Sequence, residues 1–522
     1  MMKSLSKNTQ RIAAILLTVC ACALLFGCSA APRNEGSYNT YPGESGKAYA
    51  DSKNAYKGEN VYDAPAEEEP TLDDKENKSE ENPFVKTSEE PTSTFSADVD
   101  TASYALFRSL VNSGYGWNDL KNGYYTLRTE EMVNYFDYDC PSPADGKLFG
   151  MKATLSKSPY GETHLLKLTL ATEKTQISMK NNLVFLIDVS GSMMSDEKLP
   201  LLKKAFRYLV EQLSDDDVVS IVTYSGREEI VLSGCKGGDK QTILNAIDSL
   251  DASGVTNGEA GLRMAYSLAS DYFIKGGNNR IFLASDGDLN VGITSNEELK
   301  NLVEEERDSG VYLSVLGFGQ GNYKDSKMET LADNGNGVYY YIDGETEAKK
   351  VFEEDLFSTL YTVASDVKLQ ITFNPDAVES YRLVGYENRV MANEDFENDR
   401  KDAGELGAGH KVTVFYEIVL KEGAEQAELP QIATLSVRHK KPGAKESMLE
   451  EYVIGAEVYT DRPDDDFLFA AAVVECSMIL RDSEYKGGAT AEHLTSLLKD
   501  INVEGDVYKT EFKTLIETLN GR

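Results

Sequence analysis

The sequence predicts a doubly wound, mostly parallel α/β sheet inserted between the strands of a flanking antiparallel β-sandwich, with additional N- and C-terminal helices. Three observations predict this arrangement. Between Asn181 and about Ser365, short continuous apolar runs alternate with amphipathic stretches of helical length, as expected for strands covered on both faces and joined by helical crossovers. On either side of that region, apolar and polar residues alternate in successive runs without intervening helices, the pattern of antiparallel strands. Helical periodicity returns near residues 101–113 and again beyond residue 467.

Taken in order, residues 1–28 read as a leader. Lys3, Lys7 and Arg11 precede an uncharged apolar run over 12–26, which has the size of a signal-peptide core and is short for a membrane span. The run ends in Leu25-Phe26-Gly27-Cys28, which resembles a bacterial lipobox; that resemblance implies cleavage before Cys28 and lipidation of its sulfur. An uncleaved signal anchor is the alternative, and both readings place the rest of the chain outside the cytoplasmic membrane. Residues 29–93 are polar, with acidic clusters such as Glu67-Glu68-Glu69, and predict a disordered tether that its own charge extends.

The region 94–180 predicts a strand at 95–99, a helix at 101–113 with Tyr104, Leu106, Phe107, Leu110 and Val111 inward, a helix at 128–136, and strands at 149–156 and 165–171. The region 181–364 predicts parallel strands at 183–187, 218–223, 280–284 and 311–318, with helices at 198–213, 240–250, 258–273, 296–308 and finally 347–361. In 365–522, strands at 367–373, 381–384, 411–420, 432–438 and 448–453 precede helices at 467–480, 490–498 and 506–519.

Composition narrows the function. A net charge of -34 lacks the basic footprint that nucleic acid requires. Of six cysteines, Cys20 and Cys22 lie in the leader, Cys28 is the lipidation candidate, and Cys140, Cys235 and Cys476 remain. Those three have no Cys-x-x-Cys spacing, so they predict buried free thiols rather than a zinc or thioredoxin-type site. None of the four histidines (His164, His410, His439, His493) stands in a catalytic or ligand spacing.

Chemistry concentrates at strand ends, where open α/β sheets bind ligands. The strand at 183–187 runs into Asp188-Val189-Ser190-Gly191-Ser192, the strand at 280–284 into Ser285-Asp286-Gly287-Asp288, and Gly254-Val255-Thr256-Asn257-Gly258 opens a helix between them. Asp188, Ser190, Ser192, Thr256 and Asp286 offer only hard oxygen donors, which suit Mg²⁺ with some water retained, with Mn²⁺ or Ca²⁺ as alternatives. Few protein charges on a dication leave it electrophilic toward an incoming carboxylate.

These five residues match, in order and placement, the metal-ion-dependent adhesion site of von Willebrand factor A domains. The resemblance extends outward. Phe95-Ser96-Ala97-Asp98-Val99-Asp100-Thr101-Ala102-Ser103-Tyr104 and Glu130-Glu131-Met132-Val133-Asn134-Tyr135-Phe136 are similar to the N-terminal region of bacterial YfbK-type von Willebrand A lipoproteins. Asp366-Val367-Lys368, Gly385-Tyr386-Glu387-Asn388-Arg389 and the segment from Asp402 to His410 are similar to their C-terminal region. The resemblance implies a non-enzymatic module at the cell envelope that binds a protein partner through an Asp or Glu carboxylate on the metal. It also implies a coupling between the metal face and the last helix of the α/β region, with a rigid connection that merely positions the domain as the alternative.

Two other patterns have blander explanations. Asp286-Gly287-Asp288-Leu289-Asn290 with Glu297 mimics a calcium-loop spacing, but Val291 stands where that loop requires glycine. Asp98-Val99-Asp100-Thr101 hints at a phosphotransferase, yet a helix N-cap explains it better. A metal-dependent hydrolase using the same ion, or an envelope scaffold in which the metal is only structural, are the competing functions.

Overall fold

The computed structural model describes residues 80–522 apart from 124–126, 175–178, 255–258, 288–295, 308, 320–324, 357–360, 402 and 422–430. The N-terminal part carries β1 (Val85–Lys86), β2 (Thr92–Ser96), α1 (Ala102–Asn112), α2 (Trp117–Asn122), α3 (Thr129–Asn134), β3 (Phe149–Lys157) and β4 (His164–Thr172). The central part carries β5 (Asn181–Asp188), α4 (Leu199–Gln212), β6 (Val218–Tyr224), β7 (Glu228–Lys236), α5 (Lys240–Asp248), α6 (Glu259–Asp271), β8 (Asn278–Ser285), α7 (Asn296–Arg307), β9 (Tyr312–Phe318), α8 (Asp325–Asn334), β10 (Tyr339–Ile342) and α9 (Glu345–Lys349). The C-terminal part carries β11 (Thr362–Phe373), β12 (Val378–Val384), β13 (Gly404–Gly407), β14 (Lys411–Leu420), β15 (Ala433–Lys440), β16 (Met448–Ile454), α10 (Asp465–Arg481), α11 (Ala491–Asp500) and α12 (Val507–Asn520).

The central strands form one sheet in the order β10-β9-β8-β5-β6-β7, parallel except for the antiparallel edge strand β7. Every residue of β5 and β8 is buried. Leu183, Phe185 and Ile187 pack with Leu202, Phe206 and Leu209 of α4, whereas Val184 and Leu186 pack with Leu262, Ala265 and Tyr266 of α6. Alternate residues therefore serve opposite cores, which is why the strand reads as a continuous apolar run. Pro200 suits the first turn of α4, where no amide donor is needed.

The flanks fold together, as the sequence predicts. One antiparallel sheet, β1-β12-β14-β4-β3, interleaves strands from before and after the α/β part; a second joins β13-β11-β15-β16, with β2 also on β11. Their inner faces share a core that includes Phe95, Leu166, Leu168, Leu369, Ile371, Val414 and Tyr416, the packing of a sandwich. Pairing begins upstream of the expected tether boundary: Val85 pairs with Tyr381, and the Asn82 side chain donates to the carbonyls of Leu383 and Gly385. A two-residue edge strand leaves no periodicity to read.

The apolar stretch at 467–480 is the buried helix α10, capped by the Asp464 side chain on Phe467 N–H. A helix apolar all round is a core helix, and among the described residues no helix is long and apolar enough to cross a membrane. The last helix of the α/β part starts at Glu345 and passes into a π-helical turn over Lys350–Asp355. Of the three cysteines described, Cys476 is buried, while Cys140 and Cys235 are partly exposed, which corrects the expectation for those two. Cys235 lies on β7, one side of which faces solvent.

Two arginines, Arg108 buried and Arg389 largely so, tie the α/β part to its flanks. Arg108 of α1 forms a two-pronged bond to Asp343 (2.8 and 2.5 Å), reaches Glu347 of α9 at 2.6 Å, and contacts Glu511 of α12 at 3.0 Å. Arg389 binds Asp98 at 3.2 Å, Asp100 at 3.4 Å and Asp333 of α8 at 2.9 Å. The N-cap explanation of Asp98–Thr101 thus fails: Thr101 makes no side-chain cap bond, and Asp98 and Asp100 serve the distant Arg389.

Candidate metal centre

The chain leaves β5 for β6 on one side and later returns with β8 on the other, so the carboxyl ends of β5 and β8 meet where the winding reverses. Loops diverge at such a point and leave a crevice. Register fixes the neighbours: Ile187 pairs with Ala284, which sets Asp188 beside Ser285, and Asp188 itself pairs with Tyr224. The Ser285 hydroxyl lies 3.5 Å from Asp188 Oδ2 and accepts from Gly287 N–H at 3.2 Å.

The first loop turns back on its own aspartate. Ser190 N–H donates to Asp188 Oδ1 at 2.8 Å, the local bond short polar side chains favour after strands. The hydroxyls of Ser190 and Ser192 then stand 2.9 Å apart. Gly191 N–H donates to the Gly254 carbonyl at 3.1 Å, and Ser253 N–H donates to the Val189 carbonyl at 2.7 Å. The loop carrying Thr256 is thereby stitched to the first loop, although Thr256 itself lies outside the described residues. Gly254 is required there, because its φ is +88° and a Cβ would meet the Ser225 hydroxyl at 2.6 Å.

Electrostatics mark the same place. Asp188 is fully buried, and its pKa is pushed up to about 6, by burial first, with the charge of Asp286 adding to it. Burial, and then the Asp188 charge, holds the Tyr224 hydroxyl well above its usual pKa. Asp286, also buried, pairs with the ammonium of Lys198 at 2.9 Å. The site thus gathers Asp188, Ser190, Ser192 and Asp286 from the predicted set, together with Ser285, Tyr224 and Lys198, which the sequence did not single out.

The donors fit a small divalent cation. They are all oxygens, two neutral and two anionic, and the ammonium on Asp286 shows that the site accepts a cation. Among the described residues no group of three or more His, Cys, Asp or Glu could hold a metal, so an ion here depends on hydroxyls and water for most of its shell. The calcium-loop mimic falls outside the description at 288–295, and its one described member facing the site, Asp286, belongs to the Lys198 pair.

Three family models match the sequence: "von Willebrand factor" over residues 71–167, "von Willebrand factor type A domain" over 182–354, and "Uncharacterized protein YfbK, C-terminal" over 358–521. The chain is 41% identical to the protein YfbK of Escherichia coli (strain K12) over 468 residues, covering 85% of this chain and 80% of that protein. It is 25% identical to inter-alpha-trypsin inhibitor heavy chain H3 of Homo sapiens, over 46% of this chain but only 29% of that one. Among solved structures, a von Willebrand factor type A protein from Catenulispora acidiphila aligns over 73% of this chain and 91% of its own, with a TM-score of 0.42 and 16% identity.

Proposed function

The chain belongs to the YfbK family of von Willebrand factor type A proteins, and on that premise we propose that it is a lipid-anchored envelope protein that binds a protein partner through a divalent ion. Domains of this type commonly hold such a metal and act in protein–protein interaction. The observation that carries the proposal is the convergence of Asp188, Ser190, Ser192 and Asp286 at the reversal of the sheet, with oxygen donors only. Asp188 and Asp286 supply the charge on the ion, and the serine hydroxyls orient it without neutralising it further. When bound, a Mg²⁺-type ion supplies an electrophilic position for a partner's Asp or Glu carboxylate. That bond lets so acidic a chain grip an acidic partner.

Hydrolysis is the weaker reading because the histidines are committed elsewhere. His493 bonds Glu475, His439 faces Glu450, His410 accepts from Gly407 N–H, and His164 lies in β4. The test is capture from envelope extract in Mg²⁺. Enrichment lost both in EDTA and with Asp188→Ala is the expected result; enrichment that survives both makes the protein a scaffold.

The anchor is tested separately, since Cys28 lies outside the described residues. The mature protein partitions into detergent, because diacylation with a further chain on the amine gives stable anchoring where one chain would not. Cys28→Ala moves it to the aqueous phase. A variant that stays acylated and membrane-bound disproves the lipobox assignment.

A further inference from the structure

The metal centre already contains a positive charge of the protein's own. Lys198 immediately precedes α4, and its ammonium lies 2.9 Å from Asp286 Oδ2, with side chains 15% and 3% exposed. Its stem crosses Gly319 at the end of β9, where φ is +83° and a Cβ would stand 2.3 Å from the lysine Cε. The Tyr341 hydroxyl holds that turn through the Gly319 carbonyl at 2.7 Å. A side chain at position 319 would expel the lysine, so Gly319 keeps its track open.

We infer that Lys198 is an internal counter-cation of this site: it neutralises Asp286 while no divalent ion is bound, and an entering ion must displace it. The inference rests on the metal-centre reading above. Its physical basis is that two carboxylates at a buried sheet edge cannot both stay charged cheaply without a cation. An ammonium left in place beside a bound dication would suffer like-charge repulsion in a medium that screens weakly. A monovalent ion gains little by the exchange, since it replaces one positive charge by another, whereas a divalent ion adds net attraction. Lys198 therefore lowers affinity, favours divalent over monovalent ions, and keeps the empty site from being an unpaired pair of anions.

The experiment is calorimetric titration of Mg²⁺ into the full chain and into Lys198→Met, Lys198→Gln and Lys198→Arg, with thermal unfolding of each in EDTA. The Met and Gln variants should bind Mg²⁺ about tenfold more tightly, melt lower than wild type in EDTA, and recover that loss in saturating Mg²⁺. Arg, which keeps the charge, should bind as wild type does. If Met misfolds, Gln gives the same comparison with the polar contact retained. Wild-type binding with unchanged or weaker affinity in folded Met and Gln variants overturns the inference and leaves the metal centre standing. No Mg²⁺ binding by any of the four proteins overturns both.

Discussion

Replacing Arg108 with alanine lowers the stability of the folded chain by about 3–5 kcal/mol at neutral pH. Arg108 is buried and is bonded to Asp343 and Glu347 from the α/β part, Glu511 from α12 and the hydroxyl of Tyr135, just past α3, at 2.9 Å. Removing it leaves Asp343 buried without its counter-charge and Glu347 with only Lys350 to offset it. Breaking such a cluster from one side costs far more than the cluster itself contributes, because the stranded charges keep their desolvation penalty. Burial already raises the Asp343 carboxyl above the usual carboxylate range, against the pull of Arg108. Without the arginine that carboxyl rises further and takes up a proton more readily. The deficit of the variant is therefore largest where the Asp343 carboxyl is ionised and shrinks as the pH falls and it protonates. Denaturant unfolding of wild type and variant at pH 8 and pH 5 measures it. A loss below about 1 kcal/mol at pH 8 would place the pair among surface-like ion pairs and would contradict the idea that Arg108 fastens the last helix to its flanks.

Asp188→Asn has the opposite sign for stability and a complete effect on binding. In EDTA at pH 7 the variant is more stable than wild type by up to about 3 kcal/mol, because a buried carboxyl with a pKa of about 6 has an unfolded value of about 3.9. The folded state binds the extra proton between those two values, so wild-type stability falls as pH rises from about 4 to about 6 and is level above that. Asparagine has no charge to desolvate and keeps an acceptor for Ser190 N–H, so its stability is flat through the window. The gap between the two proteins is small at pH 4 and full at pH 7. Saturating Mg²⁺ reverses the order, since only wild type gains from the ligand. Thermal unfolding across pH 4–8, with and without Mg²⁺, gives the comparison; an asparagine variant that is less stable in EDTA at pH 7 would show that Asp188 holds the loops together as an anion.

The strand-end cluster proposed as a metal site and the α/β layout were legible because each leaves a local trace. Leu183 to Ile187 is apolar without a break because alternate residues serve two cores, and Asp188, Ser190, Ser192 and Asp286 follow directly from strands whose ends meet. What escaped was long-range. Lys198 lies 88 positions from Asp286, Arg108 lies 235 from Asp343 and Arg389 lies 291 from Asp98; each pairing needs the three-dimensional sheet order before it can be seen. The acidic string Asp98–Thr101 looked like a helix cap because caps are local, and the arginine that claims it was invisible from that stretch. β7 escaped for a different reason: as an edge strand its residues are exposed or half-buried, and its apolar run is only the three residues Ile230-Val231-Leu232.

One measurement tests the proposed metal centre most directly: the stoichiometry and affinity of Mn²⁺ or Mg²⁺ binding to the full chain and to an Asp188→Ala/Asp286→Ala variant whose circular dichroism matches wild type. Strand-end loops tolerate such changes without loss of the sheet. One ion per wild-type chain and none in the variant is the predicted result. Equal binding by both proteins would contradict it, because the ion would then be held by residues other than those gathered at the ends of β5 and β8.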